Sequence, residues 1–311
     1  MVNSISVLLA AYNGETYLPC QLASLAAQTG VEFRVLMQDD GSTDATPSLL
    51  ADMAEKDSRF QVMSGGGHLG AIGNFWSLLC ADDAPYTALC DQDDAWAPDR
   101  LARCMEAMKQ AEAAYGKDTP LLVHSDCRVM AEDGTVLQES FFAHQGWDTS
   151  AVTLPRLLVQ NNVTGCTVLM NAPLRQLAAK YGRPETMHMH DWFLALTAAA
   201  FGHIVFVNEP LVDYRQHGKN VLGASRQTLT KRGFKALSAW EKGKARIKLT
   251  YTHARAFRDA CGDNLPREAA RIIDDYLATE TMMKPRRLMH IRRGGYLMQS
   301  KITRMGQMIF G

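Results

Sequence analysis

The chain has 311 residues, 47% of them apolar and 21% charged, a composition that fills a substantial core and excludes wholesale disorder. Its net charge of zero hides an asymmetry: residues 1–225 carry 14 Lys/Arg against 26 Asp/Glu, and residues 226–311 carry 19 against 7. An acidic front suits a bound cation or a solvated face, and a basic tail suits an anionic surface, so the expected organisation is an α/β domain over 1–225 and a basic helical region over 226–311.

Ile5–Ala11 is an apolar run closed by Tyr12-Asn13-Gly14, and Leu18, Leu22, Leu25 and Ala26 follow at helical spacing. This reads as buried strand, loop and helix. The unit recurs with Phe33–Met37 and a helix from Pro47 to Glu55. It recurs again with Phe60–Met63 and a helix through Asn74 to Leu79, then with Tyr86–Cys90 and a helix over 98–115. Four such units predict a mainly parallel central sheet flanked by helices. Ligands bind beyond the carboxyl ends of such strands, where the loops at 12–15, 39–44, 65–74 and 91–96 converge.

After Pro120 the strand-like runs shorten (121–125, 128–131, 135–137, 166–170, 204–207, 211–214), with helices expected near 153–160, 173–181 and 190–201. The seven cysteines show no C-x-x-C spacing and read as reduced thiols. The longest mostly apolar stretch, Phe193 to Val207, is broken by Thr197, Gly202 and His203. Neither a leader nor a membrane span is expected, which makes the chain cytoplasmic.

The segment Asp91-Gln92-Asp93-Asp94 sets three carboxylates directly after a strand. Like charges that close raise each other's pKa, and a divalent cation relieves them; oxygen ligands suit Mg²⁺ or Mn²⁺. The alternative is an acidic loop that caps a helix. Asp39 and Asp40 begin a second acidic loop, which is either a turn or an acceptor for a base or ribose hydroxyl. Gly65, Gly67 and Gly70 fit G-x-G-x-x-G, but the motif belongs after the first strand; the stretch reads as a turn from which Asn74 reaches a phosphate or ribose. Asp191 opens a helix, where the dipole favours its ionised form and an ionised carboxylate takes a proton from a hydroxyl; the alternative is an ordinary N-cap. His188 and His190 lack a third ligand for zinc. Arg215 and Lys219 suit a diphosphate, and His217 a metal.

Taken in order, Ala10-Ala11-Tyr12-Asn13-Gly14-Glu15, Asp39 to Asp44, Asp91-Gln92-Asp93-Asp94, His190-Asp191-Trp192 and Arg215-Gln216-His217 resemble bacterial family 2 glycosyltransferases over residues 4 to 224. With Asn161-Asn162-Val163-Thr164-Gly165-Cys166, the chain is similar to the rhamnosyltransferase-like branch. The resemblance implies the GT-A fold. It makes Asp93 the metal ligand, Asp91 a ribose or metal contact, and Arg215 with His217 the segment that closes on the diphosphate. Tyr12, Glu15 and Asp40 line the nucleoside pocket, Asp39 being a second candidate. Ala11, Asn13, Gln92, Thr164, Gly165 and Trp192 fall among the substrate contacts. Asp191 matches the acceptor-activating base, although the family commonly has a second acid where this chain has His190. The donor implied is a nucleoside-diphosphate sugar, dTDP-L-rhamnose first and a UDP-sugar next, and the acceptor a glycan or lipid-linked glycan. A nucleotidyltransferase would need a basic loop after the first strand, and Tyr12-Asn13-Gly14-Glu15-Thr16 has no Lys or Arg. A non-catalytic scaffold would have no reason to keep these carboxylates.

Residues 284–311 hold seven Lys/Arg and no acid, interleaved with apolar side chains. The pattern resembles a segment that lies on an anionic membrane; the alternative is a helix packed on the domain. No nucleic-acid partner is expected.

Overall fold

The computed structural model of the chain describes residues 4–65, 67–217 and 234–310; Lys219 and the expected boundary at 225 lie outside them. Strands β1 (Ile5–Ala11), β2 (Phe33–Asp39), β3 (Phe60–Val62) and β4 (Tyr86–Asp91) form the parallel half of one sheet, ordered β3-β2-β1-β4. Every residue of β1 except Ala10 is buried, as a central strand covered on both faces requires. Val7, Leu9 and Ala11 face a cluster with α1 (Leu18–Ala26), α2 (Thr46–Lys56) and α4 (Arg100–Tyr115). Leu8 faces the opposite cluster, with α3 (Gly70–Ala81), α7 (Ala172–Tyr181) and α8 (His190–Phe201).

The sheet continues past β4 in mixed sense. The short β8 (Leu169–Asn171) runs antiparallel to both β4 and β6 (Leu121–Met130), while β6 pairs parallel with β9 (His203–Arg215). The two-residue β5 (Ala95–Trp96) closes the edge beyond β9, and β7 (Val136–Gln138) pairs with β6. Three expectations are corrected here. The runs 121–125 and 128–131 form one strand, as do 204–207 and 211–214, because the register shifts opposite Ser125, Asp126 and Pro210; a bulge admits proline without ending the strand. Of the expected strand 166–170, Gly165–Thr167 is instead a 3-10 turn, held by Thr167 donating its N–H and hydroxyl to the Thr164 carbonyl at 3.0 and 2.7 Å. Finally, α3 begins at Gly70, four residues before the expected Asn74.

The basic region folds as α9 (Phe234–Cys261), α10 (Arg267–Ala278), α11 (Lys284–Arg293) and α12 (Lys301–Phe310). Tyr251, Phe257, Ile273, Tyr276, Tyr296 and Met298 join the core cluster that also holds Trp192 and Phe193, so these helices share one apolar core with the sheet. The packing alternative therefore applies to Ile291, Tyr296 and Met298, whereas Met283, Met289, Met305 and Ile309 stay exposed.

Candidate active site

The carboxyl ends of β1, β2 and β4 open into a cleft of about 1530 Å³. On its floor Gln92 is fixed by a reciprocal pair: Tyr12 N–H donates to Gln92 Oε1 at 2.8 Å, and Gln92 Nε2 donates to the Tyr12 carbonyl at 2.9 Å. Gly14 makes room for this pair, since a Cβ there would lie 2.2 Å from Gln92 Oε1. Asn13 takes a left-handed φ of 45°, which asparagine tolerates, and its Oδ1 accepts from Thr43 N–H at 2.9 Å. The first two loops are thus stitched together before any ligand arrives.

Several predicted contacts are spent on that stitching. Glu15 accepts from Ala45 N–H at 2.9 Å and Asp39 accepts from Gly41 and Ser42 N–H at 3.1 and 3.0 Å; neither residue borders the cleft. Asp40 does border it, but its carboxylate accepts Leu69 and Gly70 N–H at 2.6 and 2.8 Å. It caps α3 from another loop, which is why the helix starts early. Asn74 is buried and donates to the Gln38 carbonyl at 3.2 Å, with its Oδ1 unpartnered. Ala11 is buried beneath it and its carbonyl accepts Asp40 N–H at 2.9 Å. Tyr12 is exposed, its ring 4.7 Å from that of His68. His68, absent from the sequence reading, stands with Tyr12 at the cleft rim; its only local signal was its place in the glycine-rich turn.

The acidic loop divides its duties. Asp94 is fully buried, and its Oδ1 accepts Arg215 N–H at 3.0 Å. Arg215 donates from Nε to the Asp93 carbonyl at 2.8 Å and from Nη1 to the Glu132 carbonyl at 2.8 Å. Expected to face a diphosphate, Arg215 instead braces the loop from behind and does not border the cleft. The reason is geometric: β5 and β9 pair Ala95 with Asp213, which brings the end of β9 under the loop. Asp93 remains at the cleft with its Oδ2 2.6 Å from His217 Nε2, and the His217 ring stacks on Tyr17 at 4.9 Å. Asp91 also faces the cleft; burial pushes its pKa up to about 7, and the charges of Asp93 and Asp191 push in the same direction.

Asp191 comes to the same cleft from α8. Its Oδ1 accepts Trp192 N–H at 2.6 Å. Burial pushes its pKa up to about 7, opposed by the Trp192 and Gly165 N–H groups. The approach of Gly165 is close: a Cβ there would stand 3.2 Å from His190 Nε2 and 3.5 Å from Asp191 Cβ. Thr164 borders the same wall. Trp192 borders the cleft but is 7% exposed, with its indole N–H on the Leu157 carbonyl at 2.6 Å, so it anchors α8. His190 is buried against the Phe75 ring at 4.4 Å with both ring nitrogens unpartnered, and burial lowers its pKa to about 4. It is a neutral wall residue beside the carboxylate.

The residue types at the cleft are ones a hard divalent cation accepts. Asp91, Asp93 and His217 border one cleft with oxygen and imidazole donors, and a cation there would offset the burial and the neighbouring charges that raise Asp91. Asp91, Asp94 and Cys166 also offer ligand atoms within 4.8 Å of one another, but burial pushes the Cys166 thiol well up, and a protonated sulfur is a poor ligand for such an ion.

A parallel half-sheet, an acidic loop after β4 and a carboxylate brought across the cleft by α8 define a GT-A glycosyltransferase fold. Residues 6–119 match the family model for glycosyl transferase family 2. An uncharacterized protein of Mycobacterium tuberculosis is 28% identical over 220 residues, which are 70% of this chain and 60% of that protein. The dTDP-rhamnosyl transferase RfbG of Shigella flexneri is 24% identical over 226 residues, 70% of this chain and 74% of its own. The crystal structure of S. aureus TarS 1-349 in complex with UDP-GlcNAc superposes with a TM-score of 0.61 at 16% identity, covering 89% of this chain and 72% of that one. At that identity the likeness is one of fold. The chain spans 60% of the length of the mycobacterial relatives it matches.

Proposed function

We propose that the protein is an inverting glycosyltransferase that moves a sugar from a nucleoside-diphosphate sugar to a hydroxyl of a glycan or lipid-linked glycan in cell-surface polysaccharide synthesis. The observation that carries this reading is Asp191, a half-buried carboxylate poised near neutrality on the same cleft as Asp91 and Asp93. The exposed Tyr12 ring with His68 offers a stacking surface for a base, and Gln92, locked to Tyr12, fixes that surface. An acceptor hydroxyl beside Asp191 gives its proton to the carboxylate as its oxygen bonds to the anomeric carbon. The bond from that carbon to the diphosphate oxygen breaks on the opposite face, the electron pair leaves with the nucleoside diphosphate, and configuration inverts. Holding both substrates in line contributes up to several kcal/mol of the roughly 7 to 11 available from pre-paid encounter entropy. Asp91, Asp93 and His217 would hold a Mg²⁺ or Mn²⁺ ion, which would supply charge neutralisation for the diphosphate.

For the donor, dTDP-L-rhamnose stands first, supported by the similarity to RfbG, and a UDP-sugar next, supported by the UDP-GlcNAc bound to TarS. Calorimetric titration with dTDP, UDP, GDP and NAD, each with Mn²⁺ and then with EDTA, tests the reading. Mn²⁺-dependent binding of one nucleoside diphosphate is expected; binding of NAD alone, or of nothing, overturns it. Residues 1–225 serve as the catalytic domain in this reading and 226–311 as a helical region that docks on anionic lipid. Support for docking is the exposed set Met283, Met289, Met305 and Ile309 beside exposed Arg286, Arg292, Arg293 and Lys301. No helix among the described residues is long and apolar enough to cross a membrane. Flotation with phosphatidylglycerol vesicles should fall when Arg286, Arg292 and Arg293 are changed to Gln; unchanged flotation rejects membrane docking.

A further inference from the structure

The cleft is acidic at its floor and rim, where Asp40, Asp91, Asp93, Glu132 and Asp191 border it. Among the described residues, one Lys or Arg borders it: Arg246, from α9. Arg246 has no hydrogen bond or ion pair within the described chain. Arg246 is an exposed residue on the cleft, and desolvation by the surrounding protein lowers its pKa. A partly desolvated guanidinium without a counter-ion is costly, and its planar fork matches an oxyanion.

A second observation stands on the same cleft. Asn162 is 1% exposed, borders the cleft, and has both amide atoms without a partner. An unsatisfied buried amide costs about 1–3 kcal/mol, and a native chain keeps one where something else completes it. The segment 160–164 follows α6 (Leu154–Val159), and α6 packs on α9. Leu249 and Thr250 of α9 and Thr303 of α12 border the cleft as well, so the basic C-terminal helices contribute to its lining.

We propose that Arg246 and Asn162 form an acceptor subsite for a saccharide that carries an oxyanion, either a carboxylate or a phosphate, with Arg246 pairing the anion and Asn162 bonding the sugar. The proposal rests on the transferase reading for the word acceptor, but the binding itself does not. It also gives the C-terminal helices a role in substrate choice beyond packing.

The test uses the full chain and ligand-observed NMR titration with three probes: D-glucuronate, methyl phosphate and methyl β-D-glucoside. Each is titrated without nucleotide and again with saturating UDP and Mn²⁺, after nucleotide binding has been measured separately by calorimetry. Saturable binding of glucuronate or methyl phosphate is expected, weakened at least tenfold in Arg246→Ala and partly restored in Arg246→Lys. Asn162→Ala should weaken glucuronate binding while sparing methyl phosphate. The glucuronate arm identifies a carboxylated sugar and the methyl phosphate arm a phosphorylated one. Equal anion binding by wild type and Arg246→Ala, or glucoside binding as tight as glucuronate, overturns the subsite. Absent nucleotide binding with intact Arg246-dependent anion binding would instead sink the transferase reading alone.

Discussion

Replacing Asp191 by Asn removes the proposed base and a half-buried charge in one step, and the two losses act in opposite directions. Asn keeps an oxygen to accept the Trp192 N–H bond of 2.6 Å but cannot take the acceptor's proton. General-base assistance is worth about 10² to 10⁴ in rate, so turnover should fall by that factor while Mn²⁺-dependent nucleotide binding changes little. Stability should move the other way. Burial raises the Asp191 pKa from its ordinary 3.8 to about 7, so the folded state holds its proton more tightly than the unfolded chain does. Such a group stabilises the fold fully below pH 3.8, and that contribution is lost as pH rises through about 7. At pH 8 the ionised carboxylate then costs the native state up to roughly 4 kcal/mol, at 1.36 kcal/mol per unit. The Asn variant avoids that cost. Urea denaturation in EDTA at pH 5 and pH 8 should show the variant gaining stability over wild type as pH rises. A variant that turns over within tenfold of wild type refutes the base assignment, and one less stable than wild type at pH 8 refutes the burial argument.

Other outcomes follow from the same geometry. Asp93→Ala removes the oxygen that sits 2.6 Å from His217 Nε2; the Mn²⁺-dependent part of nucleoside diphosphate binding should disappear while affinity in EDTA holds, and calorimetry reads both. In Gly14→Ala the new methyl would lie 2.2 Å from Gln92 Oε1, displacing an amide held by two bonds to Tyr12. Overpacking costs about 1–3 kcal/mol, visible as a lower urea midpoint with weakened nucleotide binding, and wild-type values in both would show that the loop yields freely. His253, buried 4.4 Å from the Trp192 ring, has its pKa lowered to about 4, chiefly by burial and then by His188. The unfolded histidine binds protons first, so its contribution is intact above pH ~6.5 and is lost as pH falls toward about 4. His253→Phe should therefore lose about 2 kcal/mol less than wild type between pH 7.5 and pH 5, and parallel pH profiles would contradict this.

The parallel half of the sheet and its four loops were legible in the sequence because they rest on local patterns. Apolar runs such as Ile5–Ala11 bury a strand on both faces whatever lies beside it, and the carboxylates after Cys90 announce their crowding by adjacency alone. Asp91, Asp93, His217, Gly165 and Asp191 meet at one cleft, as their order along the chain suggested. What each side chain does there was decided by partners distant in sequence. Asp40 and Arg215 look like open ligand contacts in isolation, yet the first is taken by the N–H groups of Leu69 and Gly70 and the second by the carbonyls of Asp93 and Glu132. The strand interrupted at Pro210 runs on because the extra residues Asn208, Glu209 and Leu211 bulge out of β9 and its pairing with β6 resumes beyond them. Arg246 carried no signal among the lysines and arginines of the basic region; only the packing of α9 beside α6 sets it on an otherwise acidic cleft. Local sequence determines which segments become strands, helices and charged loops, because hydrophobic periodicity and turn chemistry act over a few residues. Which hydrogen bonds a polar group has left for a substrate is a property of its spatial neighbours, and the tertiary structure alone decides it.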